Sequence, residues 1–259
     1  MKFGRSLFER DGYLAGPDTR RLSELNEALR DPDARAVVAT RGGYGLTRIA
    51  HAVDIGALRE NPKWVVGFSD VTALHAEAHR AGVASLHAHN VAGLGRGDAH
   101  GRTRWLVALE HPDAFRRFTR ADGLTPIRGG KAEGTAFGGN LTVLFSCAAA
   151  GRLVIPPGSV LLLEDVGEAP YRVDRMITAL LVSGALDGIA AVVVGSFTDA
   201  PLGRYGVSVE RVLRERLETL SVPVVAGFPA GHGAVNEPVH LGLAARVDGN
   251  EGTVELGRA

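Results

Sequence analysis

Short apolar runs alternate with helix-like segments along most of this chain, and that rhythm leaves few architectures open. Its sharpest instance is residues 64–82, Trp-Val-Val-Gly-Phe-Ser-Asp-Val-Thr-Ala-Leu-His-Ala-Glu-Ala-His-Arg-Ala-Gly. An apolar run from Trp64 to Val66 stops at Gly67, and an alanine-rich helical pattern starts at Asp70. Around this unit, 22–30 reads as helix, 34–40 as strand, 46–53 as a short helix, and 83–87 as another strand. Strands and helices in series call for a parallel sheet with helices on its faces. The second half repeats the mixture, with strands at 160–163, 190–194 and 222–226 and helices at 173–182 and 209–219. It closes on polar–apolar alternation over 243–256. Gly123, Pro126, Gly129, Gly130 and Gly134 break the rhythm and predict a boundary. The expected organisation is therefore two domains, 1–120 and 137–259, joined by a linker at 121–136, with a site where they meet.

Ser69 occupies the corner between strand and helix. A serine there carries its hydroxyl at the sheet's carboxyl edge, with a helix N-terminus directly behind it. Those are the needs of a nucleophile elbow, an exposed Oγ with backbone N–H groups aimed at a developing oxyanion. The match to G-x-S-x-G is partial, because Val71 stands where the second glycine would be. Taken alone, Ser69 reads better as a helix N-cap, and the case for catalysis rests on partners elsewhere.

Partners for it lie elsewhere. Arg41-Gly42-Gly43-Tyr44-Gly45 directly follows the strand at 34–40, and its glycines can bring backbone N–H groups to an anion. It lacks the Gly-Lys-Ser/Thr of a Walker A loop and does not fit G-x-G-x-x-G. Both this loop and Ser69 fall at strand carboxyl ends, where α/β sheets bind ligands. Gly43 and Asp70 could then donate the two oxyanion N–H groups. Glu164, in Leu161-Leu162-Leu163-Glu164-Asp165-Val166-Gly167-Glu168, reads as the first residue off a strand and suits a carboxylate that orients a histidine. Asp165 and Glu168 read instead as favouring the N-terminus of a helix beginning near Tyr171. His232 lies between Gly231 and Gly233 on a loop. Ser69, Glu164 and His232 form a possible triad in that chain order.

Composition closes off other classes. Acidic and basic residues balance at 29 each, so no global field recruits nucleic acid or an anionic membrane. The pairs Arg20-Arg21 and Arg116-Arg117 read as solvated helix faces. No apolar stretch approaches the ~20 residues of a membrane span, and Met1-Lys2-Phe3-Gly4-Arg5 carries no signal core. The single Cys147 excludes an intrachain disulfide and reads as a small core residue. These features predict a soluble, cytoplasmic protein. His75 and His79 share one helix face and His87 and His89 one strand face, but Glu77 is out of step with H-E-x-x-H. No metal and no cofactor is expected, and these histidines read as packing groups.

Arg41-Gly-Gly-Tyr-Gly45, Gly67-Phe-Ser-Asp-Val-Thr72, Gly138-Gly-Asn-Leu141, Leu163-Glu-Asp-Val-Gly-Glu168 and Gly231-His232 together resemble the LD-carboxypeptidase serine peptidases. That family includes muramoyltetrapeptide carboxypeptidase and the microcin C self-immunity hydrolase. The similarity runs from about Gly12 to the C-terminus. It implies Ser69 as nucleophile, Glu164 and His232 as its partners, and the backbone N–H groups of Asp70 and Gly43 as the oxyanion hole. Gly138-Gly139-Asn140 carries over only as a structural turn, with Asn140 as N-cap of a helix at 141–150. The implied fold is an N-terminal flavodoxin-like, class I amidotransferase-like parallel sheet domain plus a C-terminal mixed β/α domain, usually within a homodimer. The implied activity is hydrolysis of an L,D-peptide bond, releasing terminal D-alanine from a small murein tetrapeptide during cell-wall recycling. Hydrolysis of microcin C-like peptidyl or aminoacyl nucleotides, and a catalytically silent binding protein of this shape, are the alternatives. Two departures stand out. Nothing before Gly12 matches the family's first strand–helix unit, which predicts a truncated or misassigned start. Val239-His240-Leu241-Gly242 replaces a Leu-Pro-x-Gly after the histidine and is expected to alter the loop carrying it.

Overall fold

A computed structural model describes residues 1–203 and 205–257. Two sheets organise it. In the first, Ala36–Val38, Trp64–Gly67 and Ser85–His87 run parallel, and Val239–Leu241 adds antiparallel to the last of them with Val239 opposite His87. The second has eight strands, in the order Arg116–Phe118, Thr253–Leu256, Ala244–Asp248, Lys131–Asn140, Ser159–Val166, Ala191–Thr198, Val224–Ala226 and Thr125–Arg128. The four from Lys131–Asn140 to Val224–Ala226 are parallel, and the flanking strands antiparallel. The chain is thus a mixed α/β protein.

Apolar runs such as Val160-Leu161-Leu162-Leu163 form because both faces of that sheet are covered. Leu161, Leu163, Val192 and Val194 pack under the helices Leu141–Ala149, Pro170–Val182 and Val209–Leu217, through Leu144, Ile177, Leu180 and Leu213. Val160, Leu162, Ala191 and Val193 face the other way, onto Val239, Leu241, Val247 and Leu256. Around the first sheet, Val65, Leu74 and Leu29 make one core and Val66, Leu86 and Ala108 another.

Several expectations change. The stretch taken for a linker carries the strand Thr125–Arg128 and the start of Lys131–Asn140. Its glycines serve close packing: a Cβ on Gly134 would stand 2.0 Å from the Gly158 carbonyl oxygen. Nor do the two halves keep separate sheets, since Val239–Leu241 completes the first sheet while its Val239 and Leu241 pack into the core of the second. Arg116 and Arg117 lie on a strand rather than a helix, paired with Glu237 and Glu255. Glu164 is inside the strand Ser159–Val166, not just beyond it. Asp165 serves a different helix: it accepts from the Thr142 N–H at 2.9 Å, the Thr142 hydroxyl at 2.8 Å and Asn140 Nδ2 at 3.0 Å, at the start of Leu141–Ala149. Asn140 is the N-cap of that helix, accepting from the Val143 N–H at 3.1 Å, and Gly138 and Gly139 continue the strand into it. Cys147 is half-buried, with burial pushing its thiol pKa up.

Candidate active site

The strand Trp64–Gly67 delivers the chain to the corner, and a 3-10 turn Ser69–Val71 leads into the helix Thr72–Arg80. Ser69 has φ +64°, a left-handed backbone that a side chain adopts only when its surroundings hold it there. The helix-cap alternative fails on position, because Phe68 holds the capping place and makes no side-chain bond to the helix. The Ser69 hydroxyl turns to His232 instead, at 3.1 Å from Nε2. On the other side of the ring, Nδ1 lies 2.7 Å from Glu164 Oε2. A carboxylate can only accept, so Nδ1 carries the proton and Nε2 is left to accept from the serine hydroxyl. Three residues from distant parts of the chain therefore stand as one hydrogen-bonded chain across the two sheets.

Glu164 is fully buried. Its strand is irregular against Ala191–Thr198 at this point, with Leu163 opposite Val194 but Asp165 opposite Phe197, and such bulges re-aim a side chain. Burial alone would push its carboxyl pKa up; the hydrogen bond with His232 and the nearness of His87 outweigh that and hold it below the usual range. Gly231 makes room for it. With φ +113°, a Cβ there would meet Glu164 Oε2 at 2.6 Å. The Gly231 N–H donates to Asn236 Oδ1 at 2.8 Å, which pins the histidine loop.

Ser69 and His232 open into a cavity of about 820 Å³. Gly42 and Gly43 line it beside them, as do Phe68, His89, Asn90 and Arg96. Arg41 and Arg96 are among the residues lining it, and among the described residues lining it there is no carboxylate. Asp70, beside Ser69 in the chain, turns its own side chain away to accept the Leu46 N–H at 2.9 Å, tying the glycine loop to the elbow. Burial raises the Asp70 pKa, opposed by that N–H and by Arg21. The Phe68 ring leans on His232 at 4.8 Å between centroids. Phe68 sits inside the motif that drew attention to Ser69, yet its place gave no sign of a ring support. Asn90 and Arg96 belong to the turn and short helix after 87, where the sequence carries little periodicity.

The histidines His75, His79, His87 and His89 pack into the fold around the elbow. His75 is completely buried: its Nε2–H donates to the Gly67 carbonyl at 3.0 Å and its Nδ1 accepts from Ser85 Oγ at 2.9 Å. Burial first, then the charge of His87, lowers its pKa to about 3. His79 packs on Phe137. His87 lies under the site and His89 in its wall.

Comparison with known proteins gives matches along the whole molecule. Residues 1–88 match the family model of the LD-carboxypeptidase N-terminal domain, and residues 133–247 that of the LD-carboxypeptidase C-terminal domain. The murein tetrapeptide carboxypeptidase of Pseudomonas aeruginosa is 36% identical over 255 residues, covering 95% of this chain and 83% of that protein. The crystal structure of muramoyltetrapeptide carboxypeptidase from Oxalobacter formigenes superposes with a TM-score of 0.86 at 31% identity, covering 97% of this chain and 88% of that one. The structure of MccF in complex with glutamyl sulfamoyl guanosine reaches a TM-score of 0.88 at 21% identity, over 99% of this chain and 85% of that one, a likeness of fold.

Proposed function

Because the chain belongs to the LD-carboxypeptidase family, we propose that it is a serine carboxypeptidase that hydrolyses an L,D-peptide bond and releases terminal D-alanine from murein tetrapeptides. The observation that carries this reading is the continuous hydrogen-bonded chain Ser69–His232–Glu164 at the mouth of the cavity. In the proposed reaction Ser69 Oγ attacks the scissile carbonyl while His232 Nε2 takes the hydroxyl proton. Glu164 keeps the imidazole in the Nδ1–H tautomer and balances the imidazolium that forms. The backbone N–H groups of Asp70 and Gly43 face the developing oxyanion. His232 then returns the proton to the departing amine of D-alanine, leaving an acyl-enzyme on Ser69. Water, activated by the same imidazole, releases the shortened peptide.

Arg41 and Arg96 support an exopeptidase reading. A substrate that ends at the residue being removed presents a free carboxylate next to the scissile bond, and guanidinium groups recognise carboxylates well. The relatives named for murein peptides point to the same substrate class. A flavodoxin-like first sheet, a cytoplasmic setting and a homodimer belong to the same proposal; no described helix is long and apolar enough to cross a membrane.

The test is incubation with L,D-tetrapeptide and, separately, with a microcin-type aminoacyl nucleotide, followed by mass spectrometry. Loss of one alanine from the tetrapeptide is the expected result. Turnover of the nucleotide alone would assign the chain to the hydrolase branch that MccF represents. No turnover of either, with Ser69 unreactive toward a fluorophosphonate, would make the fold a binding protein.

A further inference from the structure

His87 ends the strand Ser85–His87 directly beneath the site, completely buried, and neither of its ring nitrogens has a hydrogen-bond partner. Glu164 is likewise completely buried, and of its two oxygens Oε1 has no partner either. These unpartnered atoms face each other: His87 Nε2 stands 3.9 Å from Glu164 Oε1. Buried polar groups left unpaired are rare and costly, so two that face each other call for explanation. The gap is too long for a hydrogen bond by about 1 Å. It is also too short for a bridging water, since two ordinary hydrogen bonds meeting at a tetrahedral oxygen span roughly 4.6 Å. A small rotation of either side chain closes it directly.

We propose that His87 is a positioning residue for the triad, a buried imidazole whose Nε2–H donates to Glu164 Oε1 while Oε2 serves His232. The carboxylate then accepts one N–H donor on each oxygen, which fixes its plane and keeps Oε2 within reach of the catalytic ring. Donors of this kind also keep a buried carboxylate ionised, as its partner's conversion to imidazolium requires. Phe68 meets the ring edge-on at 6.0 Å between centroids and His75 lies at 6.3 Å. Its backbone is held between Gly67 and Val239. The donor is thus carried by the first sheet and the acceptor by the second, so their junction sets the triad geometry.

This inference rests on the proposed serine mechanism, and its test separates the two. The rate at which a fluorophosphonate labels Ser69 is measured for the intact protein, His87→Leu and His87→Gln. Leucine fills the space without a donor, whereas the glutamine amide reaches the place of Nε2. Labelling is expected to fall about 10- to 100-fold in His87→Leu, the worth of one hydrogen bond to a charged group, and to recover to within a few-fold in His87→Gln. Wild-type labelling in folded His87→Leu, or a His87→Gln as slow as the leucine variant, would overturn the proposal. An unlabelled wild-type chain would instead count against the serine mechanism. If neither variant folds, long-range 15N–1H correlation spectra of the native protein decide: a His87 ring protonated on Nε2 supports the proposal, and one protonated on Nδ1 alone overturns it.

Discussion

A left-handed backbone at a non-glycine residue costs on the order of 1–2 kcal/mol, and Ser69 bears that cost at φ +64°. The strain points Oγ at His232 rather than at the helix amides. Ser69→Ala or His232→Ala is expected to lower kcat by about 10⁴-fold, and Glu164→Gln by about 10²- to 10³-fold, with a melting temperature near the parent for Ser69→Ala. Turnover of tetrapeptide by purified Ser69→Ala at the parent rate would remove Ser69 from the chemistry. Gly231→Ala probes the same site from behind, since a Cβ at φ +113° would meet Glu164 Oε2 at 2.6 Å. It should cost at least 100-fold in kcat by displacing the carboxylate from His232, checked by the same assay. The cavity arginines should act on binding instead. Arg41→Ala or Arg96→Ala should raise KM roughly tenfold, the loss of one charge-assisted contact, and leave kcat within a few-fold. A tetrapeptide amidated at its C-terminus should bind all three proteins alike.

At the level of elements, the glycine loop 41–45 is set by what holds its end. Asp70 accepts the Leu46 N–H, and the Arg21 guanidinium donates to the Gly45 carbonyl at 3.0 Å. Asp70→Ala should free the loop, reducing kcat about tenfold and stability by about 1 kcal/mol, whereas Asp70→Asn keeps an acceptor and should behave like the parent. Labelling rates and urea midpoints check both. Elements with strong periodicity were legible from sequence: the helix Asp18–Arg30, the elbow helix, and the central parallel strands each carry an apolar pattern that burial requires. Others were not. Ala99–Glu110 buries only Ala108 completely and contains Gly101 and Thr103, so no apolar stripe announces it. Arg116–Phe118 and Val239–Leu241 are three residues long and owe their conformation to partners more than a hundred residues away. In the site, motif order singled out Ser69, Glu164 and His232. His87 stayed hidden because what distinguishes it is burial against a distant carboxylate, which no local pattern encodes.

The whole molecule carries a pH signature from its interior. His75 is neutral in the fold, with a pKa near 3 against an ordinary value of 6.5. Between those values the unfolded chain binds a proton that the folded chain refuses, so stability falls as pH drops below about 6.5 and this contribution is intact above it. The slope attributable to the residue is about 1.4 kcal/mol per pH unit. Urea unfolding of the parent and of His75→Gln at pH 7, 6 and 5 should show a gap that narrows toward acid, because glutamine does not titrate. A constant gap would mean that His75 takes up a proton as readily in the fold as in the unfolded chain.

Val239–Leu241 gives the first sheet its fourth strand, and Ser69 meets His232 across 163 positions of chain. On the ribosome, at roughly 5–20 residues per second, the serine emerges on the order of ten seconds or more before the histidine can reach it. Throughout that interval the elbow exists without its base, beside a sheet that still has an open edge. Under the proposed mechanism the chain stays silent during synthesis until His232, in the last quarter of the polypeptide, has reached Ser69.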